Sequence, residues 1–362
     1  MASPLTLRIR LYLALTLVLV AILASGFWLL RRVGSPASAR LLPEGDAVLY
    51  LNLRPVRLAT HFGDQPVKRD PEYDQFVQAT GVQFERDLDE VALVVHRPEI
   101  AVAGDQTILE RRYSEVFIGR YDHAKLANYL KSFSATTERM ADREVFVVPH
   151  EGRTVRVALL SDDTVAVSNS SDATNLRHII DAFTGAATAN GPSLLRDYYK
   201  RVPLASSAWA IARLDTPNGE SSSIPLPGGL NFTLPKETVT IVSLGVNTSL
   251  ATAAAIELKA EAITPSVADG KQVTENVSSF LQLLKAIEAS SKPGGPDPDV
   301  KHFFDSLQVQ QKDSSAVVTA ELPVGFLKKV LSDVPEINVP VQKPEEKKPL
   351  EKSAKPSQQR AR

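Results

Sequence analysis

The chain has 362 residues, 43% hydrophobic and 23% charged, and 41 Lys and Arg against 42 Asp and Glu leave a formal net charge of −1. Such a balance supplies no broad basic face, so no nucleic acid is expected as a partner. Cysteine is absent, which excludes disulfides, thiolate nucleophiles and cysteine metal sites together and leaves the redox compartment open.

The first predicted element is an apolar run. Residues 1–10 form a short N-terminus expected in the cytoplasm, followed by LYLALTLVLVAILASGFWLL over residues 11–30, which carries no charge. A helix of that length is about 30 Å long, matching a bilayer's hydrocarbon core. Arg8 and Arg10 close one end and Arg31 and Arg32 the other, with Trp28 near the boundary where aromatic rings favour the interface. These five residues are the predicted flanks of a transmembrane signal-anchor whose partner is the lipid bilayer through residues 11–30. A cleaved signal peptide is the alternative, but its apolar core usually spans about 7–15 residues. Ala37-Ser38-Ala39 has the small-x-small form of a cleavage site and lies past two arginines. The arginine counts on the two sides come close to a tie. The short basic start favours a single-pass protein of the inner (cytoplasmic) membrane with its body in the periplasm or outside the cell.

Residues 31–42 read as a linker of small residues. A first α+β unit is expected over 43–190. It opens with a strand, DAVLYLNL (Asp46 to Leu53), after the turn Pro43-Glu44-Gly45. Tyr73, Phe76, Val77 and Thr80 recur at helical spacing, with Gly81 as the C-cap. Strands follow at Val91 to Val95 and Tyr113 to Arg120. Asp122 caps a helix with Leu126, Tyr129, Leu130 and Phe133 on its apolar side. Three strands come next, Glu144 to Pro149, Arg153 to Leu160 and Thr164 to Ser168, with hairpin turns at Glu151-Gly152 and Asp162-Asp163. A helix from Asp172 to Phe183 closes the unit.

The second unit, 191–334, starts with a short helix after Pro192. Strands are predicted at Ser207 to Leu214, Thr238 to Val246 and Leu250 to Ala262. The stretch Ser221 to Pro235 is too rich in Pro and Gly for regular structure. The longest helix runs from Val267 to Ala289. Two strands, near Leu307 to Gln311 and Ala316 to Leu322, lead to a helix at Gly325 to Leu331. Residues 335–362 form a Lys-, Pro- and Glu-rich tail expected to be disordered. The fold class is therefore α+β: a single transmembrane helix, then antiparallel sheets covered by helices. The matching order of elements in the two units makes them candidates for a duplication.

No chemistry-bearing motif stands out. The six histidines, at 61, 96, 123, 150, 178 and 302, show no zinc spacing. GxSxG, SxxK and the Gly-rich phosphate loops are missing. Glu85, Asp87, Asp89 and Glu90 crowd together as a conceivable hard-cation site, against a solvated turn with Arg86 in its midst. Asp297, Asp299 and Asp305 surround His302 without calcium-loop spacing, and read as a loop and helix cap. Asn169, Asn231, Asn247 and Asn276 satisfy N-x-[ST], which matters only in a eukaryotic secretory pathway. The sequence singles out no catalytic, cofactor-binding or metal residue, and no cofactor is implied.

DAVLYLNLRPVR (Asp46 to Arg57), PEYDQFVQATG (Pro71 to Gly81) and ERDLDEVALVVH (Glu85 to His96) together resemble a family of bacterial membrane-anchored proteins broadly similar to the DUF3352-type group. The resemblance covers about fifty residues and implies a bacterial source and an exported body. It implies no activity. The expectation is an envelope protein that binds or scaffolds an envelope protein or polymer without catalysis. A hydrolase with dispersed residues and an envelope chaperone or assembly factor are the alternatives, and the oligomeric state is left open.

Overall fold

Residues 34–60, 70–103, 106–150, 153–213, 222–225, 231–247, 255–290, 298–323 and 325 are described by a computed structural model. Their apolar runs become strands because β-branched and aromatic residues recur between turn residues. The first set is β1 (Ala47–Asn52), β2 (Leu88–Ala103), β3 (Gln106–Gly119), β4 (Thr136–Met140), β5 (Arg143–His150), β6 (Arg153–Leu159) and β7 (Thr164–Ser168). The second is β8 (Ser206–Arg213), β9 (Ser222–Pro225), β10 (Asn231–Leu234), β11 (Val239–Asn247), β12 (Ala255–Ile263), β13 (Gln308–Lys312) and β14 (Ser315–Pro323). Apart from a separate β9–β10 pair, they join in one sheet of twelve strands, ordered β13-β14-β12-β11-β8-β1-β2-β3-β7-β6-β5-β4. β1 pairs antiparallel with β8, Ala47 opposite Ala212 and Leu51 opposite Ala208, and this seam joins the two wings.

The helices are α1 (Ala37–Arg40), α2 (Leu53–Thr60), α3 (Pro71–Thr80), α4 (Phe84–Asp87), α5 (His123–Phe133), α6 (Thr174–Thr184), α7 (Ser193–Tyr198), α8 (Val267–Ser290) and α9 (Pro298–Ser306). Their ends follow local chemistry. The Asp70 carboxylate accepts from the Tyr73 amide at 2.7 Å and Pro71 takes the first turn of α3, which ends at Gly81 in the left-handed conformation, φ 75°. The Asp122 carboxylate likewise accepts from the Lys125 amide at 3.0 Å to open α5.

The main core lies on one face of the sheet, where Val48 and Tyr50 of β1, Ala92 and Val94 of β2, Val116 of β3 and Trp209 and Ile211 of β8 meet Leu176, Ile179 and Ile180 of α6 and Leu194 and Leu195 of α7. Each of the Val, Leu and Ile side chains among them contributes about 1.5–3 kcal/mol by leaving water. On the opposite face, α5 seals Phe146, Val157, Leu159 and Val165 at one end of the sheet with Leu126. At the other end, α8 packs Val273 onto Ala316 and Ala262.

Three expectations are corrected. First, among the described residues no helix is long and apolar enough to cross a membrane. The longest, α8, carries Asp269, Lys271, Glu275 and Lys285 and lays its apolar stripe on the sheet instead. The predicted span 11–30, with its flanks Arg8, Arg10, Trp28, Arg31 and Arg32, lies outside the described residues, as do the tail and all but Gly325 of the last predicted helix. The fold class is accordingly corrected to an α+β body around one large antiparallel sheet, and the transmembrane, signal-anchor and single-pass readings are set aside. Second, the separate sheets expected of two units are one continuous sheet, because β1 and β8 pair edge to edge. Third, the Pro- and Gly-rich stretch contains the β9–β10 pair, Phe232 opposite Ile224 and Thr233 opposite Ser223, with Pro225 at the end of its strand where a missing N–H is tolerated.

Candidate functional site

Residues opposite one another in antiparallel strands share a face. On the face away from the main core, Leu93, Leu49, Ala210 and Val242 form a row across β2, β1, β8 and β11. Val91, Leu51, Ala208 and Leu244 form a second row one pleat along. Four strands at about 4.8 Å spacing make this patch about 14 Å wide. The alanines of β8 lie low between taller leucines and valines, so the patch is a trough with a volume of about 400 Å³. Leu49 and Val242 are 39% and 40% exposed, high for aliphatic side chains on central strands. The sealed clusters under α5 and α8 stand on the same face to either side: Val165 and Val157 continue the two rows at one end, and at the other Ala262 and Ala316 lie one pleat beyond them, in line with Thr240 of β11.

Among the described residues, one charged group stands directly in line with the rows. Glu115 of β3 stands directly opposite Leu93 and, on its other side, Val167. Burial among these aliphatic groups pushes its carboxyl above the ordinary value of 4.5. Such a group binds its proton more tightly in the folded chain than in the unfolded one. The stability it contributes is therefore complete below about the ordinary value and is lost as pH rises through the raised folded value. Glu115→Gln is expected to raise the urea midpoint at pH 7–8 relative to the parent, with the gap closing as pH falls through the raised folded value toward about 4.5. A gap that stays constant with pH would show that the carboxyl is not desolvated.

The acidic cluster singled out from the sequence is consumed by internal partners. Asp89 is bridged by Arg57 and by Arg54 at 2.9 Å. Asp87 takes Arg86 at 2.8 Å and the Gln83 amide at 2.9 Å; burial raises its carboxyl, and these donors outweigh burial and hold it below the ordinary range. Glu85 accepts from the Tyr73 hydroxyl at 2.5 Å, and Glu90 from Ser38 at 3.1 Å. No group of three or more candidate metal ligands occurs among the described residues. His302 meets Glu321 at 3.4 Å on the surface. The Asn169 side chain is shut in, accepting from the Tyr113 amide at 2.7 Å and donating to the Arg111 carbonyl at 3.3 Å.

A serine–histidine contact, which spacing in sequence did not reveal, joins β2 to β3. His96 Nε2 lies 2.9 Å from Ser114 Oγ, and His96 Nδ1 lies 3.0 Å from the Glu44 carbonyl. A carbonyl only accepts, so Nδ1 carries a hydrogen, and in the neutral tautomer Nε2 then accepts the serine hydroxyl. That arrangement suits an activated nucleophile. Ser114, however, has no exposed surface, and its hydroxyl continues into Ser168 at 2.9 Å. Substrate has no access, so the pair is part of the protein's internal structure.

No family model matches the chain, and no curated protein matches it. Among solved structures, crystal form III of TP0453 has 10% sequence identity and a TM-score of 0.42, covering 82% of this chain and 98% of that one. Crystal form I gives 9% identity and a TM-score of 0.42, with 83% and 98% covered. The likeness is too loose to carry a shared fold or function.

No single strand's sequence marks the trough residues. DAVLYLNL, VALVV and WAIA are apolar on both sides of the pleat, a pattern of strands covered on both faces. Its functional content appears only when register shows that the second face is covered at its two ends.

Proposed function

We propose that the protein is a binding module that holds one acyl chain of an amphipathic lipid in the trough. The observation that carries this is the uncharged double row centred on Leu49, Leu93, Ala210 and Val242, partly open to solvent between two sealed flanks. Its volume falls within the range of small-ligand sites, about 300–1,000 Å³. An exposed aliphatic patch of this kind marks a surface that gains by being covered. The trough's walls offer van der Waals contact without hydrogen-bond donors, which suits a hydrocarbon chain and gives a polar ligand nothing. Glu115 at the margin supplies one acceptor, or when protonated one donor, for a headgroup.

Calorimetric titration with saturated fatty acids of increasing length tests this. Affinity is expected to rise about fourfold per methylene, from about 0.8 kcal/mol each, until the trough is filled, with a negative heat-capacity change. Leu49→Asp and Val242→Asp are expected to weaken dodecanoate binding by at least about tenfold, since a carboxylate would have to be desolvated by the chain. Both positions are partly exposed, so the unfolding midpoint should move little. Absence of saturable binding, or binding indifferent to both substitutions, overturns the assignment.

A further inference from the structure

A second concavity lies on the opposite face, where the main core gives way to polar residues. Beyond Ile241 of β11, the register brings Glu261 of β12 beside Val317 of β14, with Gln310 of β13 beyond it. Ser315 pairs with Lys312 at the end of the β13–β14 hairpin, and the short 3₁₀ turn Tyr199–Arg201 faces them from the β8 side. Together they line a cavity of about 500 Å³.

The chemistry of this cavity is one-sided. Glu261 is only 5% exposed and is bridged by Arg201 and by Lys259 at 3.2 Å. One carboxylate thus fixes two cations. The Lys259 ammonium also donates to the Arg201 carbonyl at 3.4 Å, and Arg201 reaches Ser315 Oγ at 3.4 Å, so both cationic heads are held in place before any ligand arrives. Lys200 and Lys312 stand at the rim, with Asp313 as the second acid. Four cations against two acids leave the lining at +2.

We infer that this cavity binds a phosphoryl group. A planar guanidinium and an ammonium anchored on one buried carboxylate present fixed donors, and fixed donors lose little freedom on binding an anion. The exposed Lys200 and Lys312 at the mouth then reach the remaining oxygens. Within a partly enclosed site their charge is screened less than on an open surface. Internal neutrality of the Glu261 group alone needs one cation, and the excess is what an anion completes.

Inorganic pyrophosphate is the probe, titrated into the full chain at low salt and followed by amide NMR. Saturable shifts are expected at Lys200, Gln310, Lys312 and Ser315, weakening as salt is added. Lys200→Ala with Lys312→Ala should lower affinity by about tenfold or more, through loss of two charge-assisted contacts, while the unfolding midpoint stays in place. Vesicles of phosphatidate in phosphatidylcholine separate the sources of the group. Co-sedimentation that the double variant loses assigns it to a lipid headgroup, and pyrophosphate binding without co-sedimentation assigns it to a soluble ligand. No shifts at low salt, or shifts unchanged in the double variant, overturn the inference.

Discussion

Trp209→Ala is expected to cost about 3–5 kcal/mol of folding free energy, read as a fall in the urea midpoint by circular dichroism. Trp209 is 4% exposed at the centre of β8, the strand that joins the two wings. Its ring stacks on Tyr50 with centroids 5.4 Å apart and meets the edge of Tyr199 at 5.5 Å. Truncation removes both aromatic contacts and leaves a void beneath the seam, which the paired strands on either side prevent from collapsing. Trp209→Phe retains a ring and should cost distinctly less. The void also lies directly under Ala208 and Ala210, the low floor of the trough. Dodecanoate binding should therefore weaken in Trp209→Ala although position 209 faces the other way. A loss of stability below about 1 kcal/mol would mean that this ring is not part of a packed core.

Much of the element layout could be read from local chemistry. Asp70, Pro71 and Gly81 bracket α3, and Asp122 opens α5, because capping depends on a few neighbouring residues. The errors arose where distant partners decide. The predicted strand runs through Leu53 and no element is predicted over residues 54–60, where Pro55 argues against a helix, yet Leu53–Thr60 forms α2, with Arg54 and Arg57 reaching across to Asp89. β4 was missed because TTERM is polar, and its order comes from pairing with β5, Thr137 opposite Phe146. Neither candidate site could be seen in one dimension. The trough needs the register of β2, β1, β8 and β11, and the cationic cavity needs Arg201 brought to Glu261 across 60 residues.

His96→Ala is the other substitution with a large expected effect, again on stability. His96 is the hinge of a buried chain of hydrogen bonds running from the Glu44 carbonyl through Ser114 and Ser168 to Ser170, at 3.2 Å, and on to Asn175 of α6, at 2.7 Å. The chain ties the turn before β1 to β2, β3, β7 and α6. Removing the imidazole leaves the buried Ser114 hydroxyl short of a partner, at about 1–3 kcal/mol, and also releases the Glu44 carbonyl, whose contact is only partly buried. Ser114→Ala deletes a hydroxyl and leaves imidazole Nε2 as the unsatisfied atom, so its cost should be smaller than that of His96→Ala. In the double variant the two losses should add to less than their sum, because they share one contact. Fatty-acid binding should persist in both, since His96 and Ser114 lie on the core face of the sheet. Strict additivity in the double-variant cycle would mean that His96 and Ser114 do not bond. Loss of fatty-acid binding in Ser114→Ala with the fold intact would place this hydroxyl in the ligand site and overturn its structural role.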